Sequence, residues 1–63
     1  MLFGNIIGLF TDDTMVYLTN ESGIVLEHEN VEKLKNDRLA AWLEVIKIEP
    51  MDASTVEIQV RGK

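Results

Sequence analysis

Apolar and polar positions alternate most cleanly near the C-terminal end of the chain. In Thr55-Val56-Glu57-Ile58-Gln59-Val60-Arg61 the apolar residues fall on every second position. That period sends Val56, Ile58 and Val60 to one face and Glu57, Gln59 and Arg61 to the other, the signature of a half-buried strand. Pro50-Met51-Asp52-Ala53-Ser54 precedes it and reads as a turn, because Pro50 cannot continue a helix. Val45 to Glu49 alternates in part, with Ile46 and Ile48 on one side. Together these segments predict a C-terminal β-hairpin with a loop of about five residues.

The first third is apolar on both sides of any extended reading. Leu2 to Phe10 predicts a strand with Phe3, Ile7 and Leu9 on one face and Leu2, Ile6 and Phe10 on the other. Gly4 and Gly8 would share the second face. Thr11 to Thr14 reads as a turn, and Met15 to Thr19 as a second strand of β-branched, aromatic and apolar residues. Asn20-Glu21-Ser22-Gly23 is a further turn, in which Gly23 can take positive φ. Ile24 to Glu27 completes a third strand. The two ends of the chain share a loose echo of apolar run, acidic turn and apolar run.

Between them lies one helical candidate. Asn30 can cap it, although Lys33 is not a capping-box residue. At 100° per residue, Val31, Leu39, Trp42, Val45 and Ile46 share an arc with Leu34 at its edge, which places Trp42 in the core. The helix is expected to end between Leu43 and Ile46. The reading is thus a single domain over 1–63, of α+β class and β-β-β-α-β-β order. One helix of about three turns would cover an antiparallel sheet, strongly curled if both strand faces are to be buried within the chain.

Composition sets limits on this picture. The chain has 63 residues, 46% of them hydrophobic, and no cysteine. Disulfides and thiolate metal sites are therefore excluded. A chain this short buries only about 60% of its unfolded surface, so its stability margin is thin. Eleven Asp and Glu against six Lys and Arg give a net charge of −5. That balance disfavours direct nucleic-acid binding and is compatible with a basic partner surface. No run reaches the roughly 18 apolar residues of a membrane-spanning helix, and a cytoplasmic location is the default expectation.

Candidate chemistry is sparse. His28 is the single histidine, and Ser22 and Ser54 both fall in turns. A serine nucleophile would have no other base, and His28 reads as a solvated residue at a strand end. Glu27, His28, Glu29 and Glu32 are suitable metal donors without a tight ligand spacing. No glycine-rich phosphate loop is present. The expectation is a protein without catalysis, metal or cofactor.

The surplus apolar face then becomes the informative feature. One helix covers one face of a sheet, so the face bearing Met15 and Tyr17 would need a second cover. Phe10, Met15 and Tyr17 are the expected partner-binding residues, with Asp12, Asp13, Glu27 and Glu29 as an acidic rim. The partner would be another protein or a second copy of the chain. In size, acidity and lack of catalytic side chains, the chain resembles the small standalone proteins that phages make to block host or defence enzymes. That resemblance implies an inhibitor or regulator that binds protein, with nucleic-acid mimicry by ordered carboxylates as one means. The alternatives are a self-associating structural module and a small SH3-like or Sm-like β-barrel that binds nucleic acid.

Overall fold

The structure is a computed structural model and describes residues 1–61. It is a small α+β domain built on a four-stranded mixed sheet. The strands are β1 (Met15–Thr19), β2 (Val25–Asn30), β3 (Glu44–Asp52) and β4 (Thr55–Arg61), in the spatial order β2-β1-β4-β3. β1–β2 and β3–β4 are antiparallel hairpins, and the two hairpins join through a parallel pairing of β1 with β4. The sheet is therefore neither wholly antiparallel nor closed, and β2 and β3 are open edges. An SH3-like or Sm-like barrel is overturned by this topology.

The largest departure from expectation is the N-terminal segment. Leu2 to Phe10 is not a strand. It forms one α-helical turn, α1 (Phe3–Ile6), followed by a 3-10 turn over Ile7–Leu9. The element order is accordingly a helical N-terminal segment, then β-β-α-β-β, and the echo between the two ends loses its first half. Phe3, Ile6, Ile7 and Phe10 follow i, i+3, i+4, i+7 spacing, which lays them along one side of a helical path. Phe3, Ile6 and Ile7 are buried, and Phe10 packs against the same cluster. α1 passes close to a second 3-10 turn over Ala40–Trp42. A Cβ at Gly4 would lie 2.9 Å from the Ala41 Cβ and 3.2 Å from its carbonyl oxygen. Glycine is what permits this approach.

The expected three-turn helix is also two shorter pieces. α2 (Val31–Leu34) starts where Asn30 Oδ1 accepts the Lys33 N–H at 3.0 Å, a side-chain cap. Asp37 ends any continuation. Its Oδ1 accepts the N–H groups of Leu39 and Ala40, both at 3.1 Å, and so begins the Ala40–Trp42 turn afresh. The restart rotates Trp42 out of the core, where the helical arc had placed it, and buries Ala40 instead.

The helical pieces and the sheet enclose one core. β1 contributes Val16 and Leu18, and β4 contributes Val56, Ile58 and Val60. The parallel register sets Val16 beside Val56 and Leu18 beside Ile58. The C-terminal hairpin appears as expected, but β3 runs through Pro50 to Asp52 and leaves a tighter turn. Proline is tolerated there because β3 is an edge strand. In the turn before β2, Gly23 has φ +84°, and Asn20 Oδ1 accepts from the Ser22 and Ile24 N–H groups.

Candidate functional site

The sheet has two faces with different covers. Val16 and Leu18 point to the core, so Tyr17 points outward. There it stacks on His28 across the β1–β2 pair, with ring centroids 4.0 Å apart and planes 14° from parallel. The histidine thus covers part of the tyrosine ring, and Met15 and Tyr17 are half-buried. The outer face also carries the Thr19 hydroxyl, which donates to Glu57 at 3.2 Å. It is a polar, internally paired face, and Tyr17 has less free apolar surface than the sequence pattern implied.

The acidic residues expected around Tyr17 are dispersed. Asp12 pairs with Lys35 at 2.7 Å, and its backbone carbonyl accepts the Glu32 N–H. Asp13 accepts the Thr11 hydroxyl at 2.8 Å. Glu29 lies 3.7 Å from Lys33. Glu21 and Glu44 both meet Arg61, at 3.1 and 3.4 Å. Phe10 sits on the far side of the core, lining a cleft with Ile48, Pro50 and Val56. Phe10, Met15, Tyr17, Asp12, Asp13, Glu27 and Glu29 therefore do not form one surface.

A different surface gathers unpartnered apolar side chains. Between β2 and the Ala40–Trp42 turn lies a groove of about 270 Å3. Leu18 and Ala40 form its floor; Leu26, Leu39 and Leu43 form its walls. Leu39 is 85% exposed, and Trp42, in the adjoining turn, is 75% exposed. Two carboxylates, Glu27 and Asp37, line the same groove. Glu27 comes from β2 and Asp37 from the segment after α2. Among the described residues, neither has a cationic partner within ion-pair distance.

The electrostatics follow from this placement. Partial burial pushes the Glu27 carboxyl above its ordinary range, and the neighbouring Asp37 and Glu29 carboxylates add to the rise. Asp52 behaves oppositely: the Ser54 N–H bond holds its carboxyl below the ordinary range. The signs of the two linkages differ. Asp52 contributes stability above its unfolded pKa that is lost as pH falls. Glu27, with a raised folded pKa, costs stability once ionised, and acidification relieves that cost. Glu27→Gln should therefore be neutral at pH about 3 and slightly stabilising at pH 7, where the parent carboxylate is ionised. Urea denaturation of both proteins at the two pH values measures this. A destabilised Gln variant at pH 7 would show that Glu27 has a stabilising partner.

Sequence reasoning placed Glu27 among the partner residues but put Leu39 and Trp42 in the core. The missed signal was Asn36-Asp37, a pair that favours turns and caps over helix interiors. Among the described residues, no group of three or more His, Asp or Glu is arranged to hold a metal ion, and no helix is long and apolar enough to cross a membrane. Comparison with known protein families, with curated proteins and with solved structures finds no match.

Proposed function

We propose that this protein acts without catalysis, by binding another protein, as a small acidic inhibitor or regulator. The observation that carries the reading is the groove beside β2, where Leu26, Leu39 and Leu43 meet the unpaired carboxylates Glu27 and Asp37. Trp42, exposed next to an apolar groove, is of the residue type most enriched among the side chains that dominate protein interfaces, and the exposed Leu39 extends the apolar patch around it. The carboxylates would orient a basic partner and exclude an acidic one, adding to specificity and encounter rate more than to affinity. Five of the other nine acidic groups, Asp12, Glu21, Glu29, Glu44 and Glu49, lie beside the chain's own cations. That distribution favours recognition by a local apolar patch over imitation of a phosphate row. The class of protein that phages direct at host or defence enzymes remains the nearest functional analogy.

The test compares capture by the intact protein with capture by Leu39→Asp and Trp42→Asp. Both sites are exposed, so the variants should keep the fold, which circular dichroism verifies. A specific partner retained by the parent and lost by both variants is the expected result. Equal capture by all three proteins would remove this surface from the function.

A further inference from the structure

We propose that the partner contributes an extended segment with alternating apolar and basic residues, which adds to the sheet as a fifth strand against β2. The inference rests on the protein-binding reading above and specifies what occupies its groove.

The two open edges of the sheet are protected very differently. β3 is guarded along its length. Met1 to Phe3 cover its beginning, with the Val45 N–H donating to the Met1 carbonyl at 2.7 Å and a bridge between Leu2 and Glu44. Its register shifts twice, after Val45 and after Pro50, and Pro50 removes one edge donor. Bulges and proline are the usual means by which edge strands avoid further pairing. β2 has no proline and one register shift, which falls at Leu26; it is regularly paired from Glu27 to Asn30, and among the described residues no strand pairs along its outer edge. Val25 to His28 are all exposed.

The direction of the free backbone groups can be read from the ladder. The Val31 N–H donates to the Thr14 carbonyl at 2.9 Å. Alternation from that bond turns the Glu29 and Glu27 backbones toward β1 and leaves the His28 N–H and C=O facing outward. An added strand would bond to these groups. Its side chains would alternate between the groove face, beside Glu27 and Glu29, and the outer face, beside His28, since successive side chains project to opposite faces.

The charge on β2 decides what that strand carries. Glu27 and Glu29 lie on the core-side face, opposite Leu18 and Val16. If a second copy paired two-fold through β2, these carboxylates would meet their own counterparts, and like charges directly opposite are destabilising. The edge is thus set against itself. A lysine or arginine on the groove face of the incoming strand would instead stand beside Glu27 and within reach of Asp37, neither of which has a cation within ion-pair distance among the described residues, while the apolar residues would lie on the outer face beside His28.

The probes are two synthetic peptides, one alternating Val with Lys and one alternating Val with Glu, titrated into 15N-labelled protein. The Lys peptide is expected to shift resonances of Val25 to Glu29 and Leu39 and to slow exchange of the His28 amide. The Glu peptide is expected to leave them unchanged. His28→Pro should abolish the response, while His28→Ala, which keeps the N–H but loses the stack on Tyr17, should retain it. Glu27→Gln combined with Asp37→Asn should weaken the Lys peptide roughly tenfold; the asparagine can still cap Leu39 and Ala40. Absence of binding at millimolar peptide, equal binding of both peptides, or shifts elsewhere on the surface would overturn the proposal. So would a dimer in sedimentation that His28→Pro dissolves, which would make a second copy the occupant. If Leu39→Asp loses a captured partner that His28→Pro retains, the protein-binding reading stands and the added strand does not.

Discussion

Phe3→Ala should remove a large share of the stability of this protein, a third or more, while Leu9→Ala should leave it nearly unchanged. Phe3 is fully buried and anchors α1 in the core; Leu9 is 81% exposed. Truncating a buried phenylalanine costs about 3–5 kcal/mol. A domain of this length has roughly 3–9 kcal/mol in total. The variant would therefore lose between about a third and all of that margin, which a lowered urea midpoint measures. An extended N-terminal segment makes a different forecast, because Phe3, Ile7 and Leu9 would then share one face and suffer alike. Comparable losses from Phe3→Ala and Leu9→Ala would sink the helical assignment.

The N-terminal segment shows where the sequence was ambiguous. Its residues fit a strand by composition and a helical path by spacing, and Gly4 and Gly8 weaken both readings. The extended reading left both faces apolar, and that result was itself the clue. A segment needing a second cover on an open sheet is better explained by a path that turns all its large residues inward. Phe3, Ile6, Ile7 and Phe10 do so. The same reasoning removes the surplus face once assigned to Met15 and Tyr17, because the outer face is polar and the Tyr17 ring has His28 against it.

The C-terminal hairpin was legible because the alternation of β4 is strict, although Pro50, read as part of the turn, lies within β3. The α2 cap was legible at Asn30. The break after Leu34 was not legible, since the apolar arc continues through Leu39 and Trp42 on a helical wheel, and the wheel cannot register a restart at Asp37. The groove was invisible for a related reason. Its two carboxylates are ten positions apart, and it takes the turn between α2 and the Ala40–Trp42 segment to bring them to one surface. Glu27 could be nominated from β2 alone; its companion could not.

Strand order is the remaining feature that local pattern does not encode, and it sets up the second large expected effect. Each hairpin is specified by its own turn, but the two hairpins could join through any pair of edges. In the structure, β4 lies between β1 and β3, so Ile58 has Leu18 on one side and Ile48 on the other. Ile58 has no exposed surface, whereas Ile48, with similar chemistry one strand away, is 41% exposed at the edge. Ile58→Ala should cost about 2–5 kcal/mol through lost burial and the cavity left behind. Ile48→Ala should cost less than about 1.5 kcal/mol, because much of its surface already meets water. Thermal or urea unfolding of the pair measures the contrast, and it tests the parallel junction directly. If β3 instead lay between β4 and β1, Ile48 would be central and the order of the two losses would reverse. Amide and α-proton contacts between Val16 and Val56 in NMR spectra would report the same junction independently of stability. Since β1 and β4 are then both interior strands, their amides should exchange slowest, and the first to open should be β2, the edge against which an added strand is proposed to bind.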